Sequence, residues 1–457
     1  MLDSLQVACH HASMKDFKPR LPATDSERAR WTRFTFMLHL RPVKVAASTL
    51  RWTHTFGLGG SGLVLLILLV MTGVLQMLVY QPVPDVAYDS VLALEHDVAF
   101  GPLVRGVHYW SANLLILVLL MHAARTFLTG GHRGQRSFTW VLGIGLLAGV
   151  LAAGFTGYLL PWDQRSYWAV TISTGMLTYF PVCGDLLRKV VLGGNEIADT
   201  TLVNFYTLHT TIIPVTLLLL AAWHFWRVRR AGGVIEPPPV DSSTPANATM
   251  ESERVMFWPH LMVREIVQSL VIVAIVLTLA AVLGAPLGER ANPGMSPNPA
   301  KAPWYFMGFQ ELLIHFHPVF AVLVLPVLAF LGLLALPYLT PAADTAGRWF
   351  LSPLGKRSAA LAAVAACGLV PLLVVLDERA GSGAKNWILG GLLPLLVMIV
   401  FGWFWMMVLR KRGAPAPESI QAVVVLVVVA FLILTLVGVW FRGAGMALVW
   451  PWTGGGG

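Results

Sequence analysis

Two pairs of histidines carry the spacing that most constrains the chemistry of this chain. His108 and His122 lie fourteen residues apart, and His209 and His224 lie fifteen apart. On a helix rising 1.5 Å per residue these separations correspond to about 21 and 22 Å. Fourteen residues turn through about 1400°, within about 40° of a whole number of turns, and fifteen miss by about 60° the other way. Each pair therefore sits roughly on one helix face, with one histidine near each end. A neutral imidazole nitrogen is a good ligand for iron, and the core of a helical bundle suits haem. If the two helices run the same way, His108 is level with His209 and His122 with His224. That arrangement makes two bis-histidine haem sites stacked at two depths. One intramembrane histidine alone is as readily a packed core residue. Four at matched depths point to function, because polar groups inside a bilayer are costly.

Gly59 and Gly73, and likewise Gly143 and Gly157, repeat the fourteen-residue spacing. Glycine lets a large flat ring come close to a backbone, although small residues also simply help membrane helices pack. Matched to the histidine period, the four read as clearances for haem edges. Arg105 and Arg125 flank the first histidine pair. They could pair with haem propionates through charge-assisted bonds, or merely snorkel to the interface.

The elements that must position these residues follow from composition. Of 457 residues 56% are hydrophobic and only 12% charged, against about 25% charged in a soluble domain. About 20 apolar residues cross a bilayer as a helix. Such stretches run over 58–80, 107–129, 139–160, 205–227, 264–285, 318–339, 358–377, 387–409 and 420–441. The expected fold is an all-α integral membrane protein, a four-helix di-haem bundle followed by about five further transmembrane helices. The histidines fall in the second and fourth spans. Basic clusters at Arg133 and Arg136, at Arg227, Arg229 and Arg230, and at Arg410, Lys411 and Arg412 fall on one side of the membrane if every span crosses once. The positive-inside rule makes that side cytoplasmic, with the N-terminus inside. The net charge of +9 then reports topology rather than a nucleic-acid partner.

Residues 1–56 read as a cytoplasmic arm without a cleavable signal, with a surface-lying helix around Phe34 to Val45. The divisions that follow are 57–231 for the di-haem bundle, 232–257 for a Pro- and Ser-rich linker, 258–380 for a three-helix region and 381–457 for additional spans and a tail. Cys9, Cys183 and Cys367 are scattered, with no haem-attachment or disulfide pattern.

Further motifs sharpen this reading: Val107-His108-Tyr109-Trp110-Ser111, then Arg125 through Leu128-Thr129-Gly130-Gly131. Gly157-Tyr158-Leu159-Leu160-Pro161-Trp162-Asp163-Gln164 follows, then Tyr167-Trp168-Ala169-Val170 and Phe205-Tyr206-Thr207-Leu208-His209-Thr210. Over about 55–235 the chain resembles the cytochrome b/b6 family of quinol-oxidising bc complexes, and cytochrome b6 in particular, whose fifteen-residue histidine spacing it shares. The back half resembles subunit IV of the b6f complex less closely. The resemblance implies two haem b groups held by the four histidines, with quinone and quinol as substrate. It also implies a Rieske-type iron–sulfur protein and a cytochrome c or multihaem cytochrome as partners. A homodimeric complex in a bacterial cytoplasmic (inner) membrane is implied as well.

Three departures stand out. The family's Pro-Glu-Trp-Tyr motif reads Ala302-Pro303-Trp304-Tyr305 here, with Pro303 in the position of a proton-accepting glutamate. Glu311 is the expected substitute, with His315 or His317 as runner-up; alternatively Gln310-Glu311 merely caps a helix. Gly57 occupies the position of the cysteine that binds a third haem in b6f, so no covalent third haem is expected on the first span. The spans over 387–441 exceed either family pattern; they would dock another subunit or only enlarge the bundle.

The reading that follows is a quinol oxidoreductase subunit active only in a multi-subunit complex. Quinol would bind on the outer side between residues 160–170 and 302–311, with Trp304, Tyr305 and Glu311 as its site residues. Electrons would cross through the two haems to a quinone near the cytoplasmic face, where Arg229 matches an arginine of cytochrome b6, coupled to proton translocation. The alternatives are a di-haem anchor relaying electrons between quinone and a dehydrogenase, and a cofactor-free transporter, against which the histidine geometry argues.

Overall fold

The computed structural model describes residues 22–34, 43–236, 253–339, 347, 349–350, 352–381 and 386–451. Among the described residues nine helices are long and apolar enough to cross a membrane. They are Leu58–Met77, Gly101–Leu128, Gly134–Leu159, Asp199–Arg230, Phe257–Leu283, Phe320–Leu339, Pro353–Ala380, Ile388–Lys411 and Ala416–Trp440, here the first to ninth spans. Each overlaps one of the nine expected stretches, and the chain is an all-α, multi-pass membrane protein. Helices arise here because, in lipid, every backbone N–H and C=O must be satisfied within its own segment. Leu270, Leu372 and Phe404 project outward from their spans, more than half exposed, as side chains that meet lipid do.

A helix over Asp25–Phe34 precedes the surface helix expected around Phe34 to Val45. It begins with a capping box: Thr24 Oγ1 accepts from the Glu27 N–H, and the Glu27 carboxylate accepts from the Thr24 N–H. Residues 35–42 of the expected surface helix, and Cys9, lie outside the described residues. At its far end Lys44–Ala46 forms a short antiparallel ladder with Arg254–Met256, with Val45 opposite Val255. β-branched Val43 and Val45 favour extension, and the ladder satisfies backbone groups that a lone helical turn would leave open. Most of the expected linker, 237–252, also lies outside the described residues. The fifth span starts at Phe257 rather than at 264.

The first five spans share one apolar core. Leu65, Leu115, Ile116, Val150, Leu217 and Val276, at least one from each of them, are buried together. Leu115 and Ile116 lie between His108 and His122 in the chain, so this core separates the two histidine levels. In the back half the ninth span lies against both the seventh span and the short helix Met307–His315. It is therefore part of the bundle, whereas the eighth span packs along the ninth, meets Phe320 of the sixth at Gly391, and buries few of its residues fully.

The fourth span contains a π-helical turn at Leu208–Ile212, closed by the Ile213 N–H bonding the Leu208 carbonyl. Such a turn takes up one extra residue. Fifteen residues from His209 to His224 then do the work of about fourteen in regular helix, the spacing of the opposing pair. This accounts for the apparent phase difference between the two pairs.

Candidate functional site

The His108 and His209 rings face each other with centres 6.3 Å apart at 71°. Two metal–imidazole bonds of about 2 Å, plus the half-widths of two rings, make up that separation. Each ring is fixed from behind by a threonine. Thr72 Oγ1 donates to the Leu68 carbonyl at 2.6 Å and so accepts from His108 Nδ1 at 3.0 Å. Thr156 Oγ1 donates to the Ala152 carbonyl at 2.9 Å and accepts from His209 Nδ1 at 3.2 Å. With each Nδ1 carrying the hydrogen, each Nε2 keeps its lone pair for the space between the rings. His122 and His224 form the second level, His122 beside Gly59 of the first span and His224 beside Gly143 of the third. The donor set and ring separation fit haem.

The four glycines pair one to one with the histidines. A Cβ at Gly59 would lie 3.5 Å from His122 Cε1, at Gly73 3.3 Å from His108, at Gly143 3.4 Å from His224 and at Gly157 2.5 Å from His209. The room these glycines leave is where the imidazoles lie. The cause is geometric, since each ring must lie along the neighbouring helix for its Nε2 to point inward.

A cavity of about 1660 Å³ opens from the His108–His209 level. This exceeds the roughly 300–1,000 Å³ of an ordinary small-molecule pocket and leaves space for two occupants. His108, His209, Gly73 and Gly157 line one part; Pro303, Trp304, Tyr305 and Phe306 line another. Trp304 Nε1 donates to Asn113 Oδ1 of the second span at 2.8 Å, tying the loop after the fifth span to the histidine helix. Burial pushes the Tyr305 phenol up, so it is a neutral donor at neutral pH.

The Leu160-Pro161-Trp162-Asp163-Gln164 run closes this cavity. Asp163 caps the helix Gln164–Met176 by accepting from the Ser166 N–H at 2.9 Å. Its other oxygen accepts from the Gly288 N–H at 2.7 Å. Gln164 Oε1 accepts from the Asn292 N–H at 2.6 Å, and its amide donates to the Met295 carbonyl. These bonds tie the start of 160–170 to residues 288–295, in the loop that precedes 302–311.

Glu311 is placed differently from Trp304 and Tyr305. Successive helical residues point about 100° apart, so Gln310 and Ile314 line the cavity while Glu311 turns away and is fully buried. Arg442, beyond the ninth span, donates to both its oxygens, Nε to Oε1 at 3.0 Å and Nη2 to Oε2 at 2.8 Å. Burial alone pushes the Glu311 carboxyl up, but the bonds from His315 and Arg442 and the Arg442 charge outweigh it and hold it below its ordinary value. His317 donates its backbone N–H to the Gly390 carbonyl and lies outside this cluster.

Arg105 is buried and lines the cavity, donating to Glu95 at 2.5 Å and to the Ala285 and Pro286 carbonyls at 2.7 and 2.8 Å. Arg125, at the second histidine level, donates from Nε to the His54 carbonyl at 2.9 Å. Both guanidiniums are thus positioned by protein groups, with donors left over. Arg229 is half-buried in the last turn of the fourth span. Gly57 adopts a left-handed φ of 60°, and its carbonyl accepts from Gln268.

Sequence reasoning missed Thr72, Thr156, Asn113 and Arg442. The first two had a signal, because a threonine immediately precedes each glycine of the outer pair. Arg442 had none.

Comparison with known proteins agrees with this geometry. The family model for Cytochrome b/b6/petB matches residues 44–232. Cytochrome b6 from two strains of Prochlorococcus marinus is 43% identical over 175 residues, covering 38% of this chain and 80% of each relative. The chain belongs to the cytochrome b/b6 family, and membership implies haem b as the bound group. A solved chain of a hyperthermophilic respiratory Complex III has the same fold, with a TM-score of 0.61 at 22% identity, covering 87% of this chain and 93% of that one. The shared fold therefore extends well beyond residues 44–232.

Proposed function

We propose that this chain is the cytochrome b subunit of a bacterial bc-type complex that oxidises quinol and reduces cytochrome c or another high-potential acceptor. The observation that carries the reading is the single cavity joining the His108–His209 pair to Trp304 and Tyr305. A relay that only passes electrons along would need no such chamber. When bound at the two histidine levels, haem supplies one-electron carriers at two depths of the membrane. His108 and His209 hold the outer group, and His122 and His224 the inner one. Thr72 and Thr156 keep the outer imidazoles in the liganding tautomer. Arg105 and Arg125 direct donors toward propionates.

Trp304 and Tyr305 form the outer quinol site, Trp304 as a fixed wall and Tyr305 as a neutral donor to a quinone oxygen. Asp163 and Gln164 hold the loop that covers it and help exclude water. Glu311 belongs to the site's proton-handling side, behind the wall rather than in contact with quinol. Arg229 serves an inner quinone site. The N-terminus is cytoplasmic, so the His108–His209 end faces outward. A Rieske-type iron–sulfur protein and a cytochrome c or multihaem cytochrome complete the reaction in a homodimeric assembly coupled to proton translocation.

The test is made on the complex isolated from native membranes with its inner quinone site inhibited. Quinol oxidation that divides its two electrons predicts that adding oxidised high-potential acceptor increases b-haem reduction. Haem reduction that is indifferent to the acceptor contradicts this function and supports the di-haem relay.

A further inference from the structure

Behind the cavity wall a cluster joins three separate elements. The short helix Met307–His315 supplies Glu311 and His315, the end of the seventh span supplies Asp377 and Glu378, and Arg442 follows the ninth span. His315 Nδ1 donates to Asp377 Oδ2 at 2.7 Å. Its Nε2 lies 3.2 Å from Arg442 Nη2 and 3.5 Å from Glu311 Oε2. Arg442 Nη1 also donates to Glu378 at 3.1 Å and to the Met446 carbonyl at 2.9 Å. Solvent access rises along this line: the Glu311 side chain has none, that of His315 is 10% exposed and that of Asp377 31%. Ile314, just before His315, and Met446, whose carbonyl holds Arg442, both line the cavity.

We propose that His315 and Asp377 form the outward proton exit of the quinol site, with Arg442 holding Glu311 as a fixed counter-charge rather than as the carrier. The proposal rests on the quinol-oxidising function above. Bidentate pairing makes Glu311 a poor base, because a proton there must displace two charge-assisted bonds. His315 has the opposite situation. Glu311 and Glu378 bond Arg442 while Asp377 bonds His315, so the cluster holds three carboxylates and one guanidinium, a surplus of negative charge that a protonated imidazole offsets. Burial works against that proton, yet the bonds to Glu311 and Asp377 outweigh it and raise His315 above its ordinary value. The other charged group nearby is Lys301, whose Nζ donates to the Val439 carbonyl at 3.1 Å and which acts on Glu311.

Quinol oxidation releases two electrons, one to the external high-potential acceptor and one to the outer haem, together with two protons. One proton takes this route. A quinol O–H breaks and, through a bridging water, an N–H forms at His315 Nε2, which turns from Arg442 toward Glu311. The Nδ1 proton passes to Asp377 and from there to water, leaving neutral His315 with its proton on Nε2, and a turn of the ring brings that N–H back to Asp377 before the next turnover. Arg442 thereby gives the ninth span a part in the outer site.

His315→Gln and Asp377→Asn test this in the whole complex. The probes are a short-tailed quinol bearing the head group extracted from the same membranes and the complex's own acceptor. In His315→Gln, acceptor-dependent turnover falls at least about tenfold and loses its acid limb, with KM unchanged. In Asp377→Asn, removing the carboxylate moves the acid limb to lower pH. In both, quinol reduces the haems through the inner site at the parental rate. Parental rate and pH profile in His315→Gln would overturn the exit. If His315→Gln fails to assemble, Asp377→Asn decides, and an unmoved acid limb overturns it. A parent complex without acceptor-dependent turnover overturns the quinol-oxidising function itself.

Discussion

Thr72 Oγ1 lies 3.0 Å from His108 Nδ1 while donating to its own helix at Leu68. The same relation joins Thr156 to His209, so both imidazoles of this level are oriented by a hydroxyl from a neighbouring span. A ligand imidazole that donates from Nδ1 is more electron-rich, which favours the oxidised metal. Thr72→Val removes one bond of about 1 kcal/mol. At 59 mV per tenfold for one electron, this raises the potential of the outer haem by some tens of millivolts. A redox titration of the α-band checks it; an unmoved outer component, or a shift in the inner one alone, contradicts the pairing.

The glycines should not be equivalent. A Cβ at Gly157 meets His209 at 2.5 Å, whereas at Gly59 the nearest imidazole atom is 3.5 Å away. Gly157→Ala is expected to lose the outer haem or displace His209, and Gly59→Ala to retain both haems. Haem content per chain, measured on purified variants, separates the two cases.

Asp163 serves two elements at once, capping the helix Gln164–Met176 and holding the Gly288 N–H. Asp163→Ala loses a helix cap worth about 1 kcal/mol and leaves Gly288 without its acceptor. The loop after the fifth span loosens, and KM for quinol rises more than the haem spectra change. Steady-state kinetics with normal KM would show that the loop is held by other contacts.

The latch between Arg442 and the short helix depends on pH in a defined sense. Glu311 is lowered from its ordinary value of 4.5, so its contribution is present above about that pH and is lost as pH falls through the lower folded value. His315 is raised from 6.5, so its contribution is full below that pH and is lost as pH rises through the higher folded value. Both act together between about 4.5 and 6.5. Protection of the 441–449 backbone amides, as exchange relative to the intrinsic rate at each pH, should be highest in that window and lower on either side. A flat profile would count against the latch.

Breaking that latch on one side should cost more than removing it. Arg442→Met leaves Glu311 buried with His315 as its remaining partner, a loss of up to about 3–5 kcal/mol. Arg442→Met combined with Glu311→Gln recovers much of it. Thermal inactivation of the two variants measures the difference; equal losses would mean the pair is not coupled.

The nine spans were legible because a bilayer demands long apolar runs, and composition alone reveals them. The facing of His108 and His209 was legible because helical periodicity is local. The role of the glycines was only half legible: their period matched the histidines, but contact with the rings depends on how neighbouring spans pack. The π turn at Leu208–Ile212 explains why the fifteen-residue spacing appeared out of phase. Glu311 could be found as a nearby carboxylate, yet its partner Arg442 lies 131 residues away on an arrangement no local pattern encodes. The extended Lys44–Ala46 segment was likewise set by a distant strand.

The central claim is that four histidines hold two haems at two levels, and haem counting in single variants tests it most directly. The parent should contain two b-type components per chain. His108→Leu and His209→Leu should each remove the same component, and His122→Leu and His224→Leu the other. A parent with one haem, or His108→Leu and His209→Leu removing different components, would contradict the account.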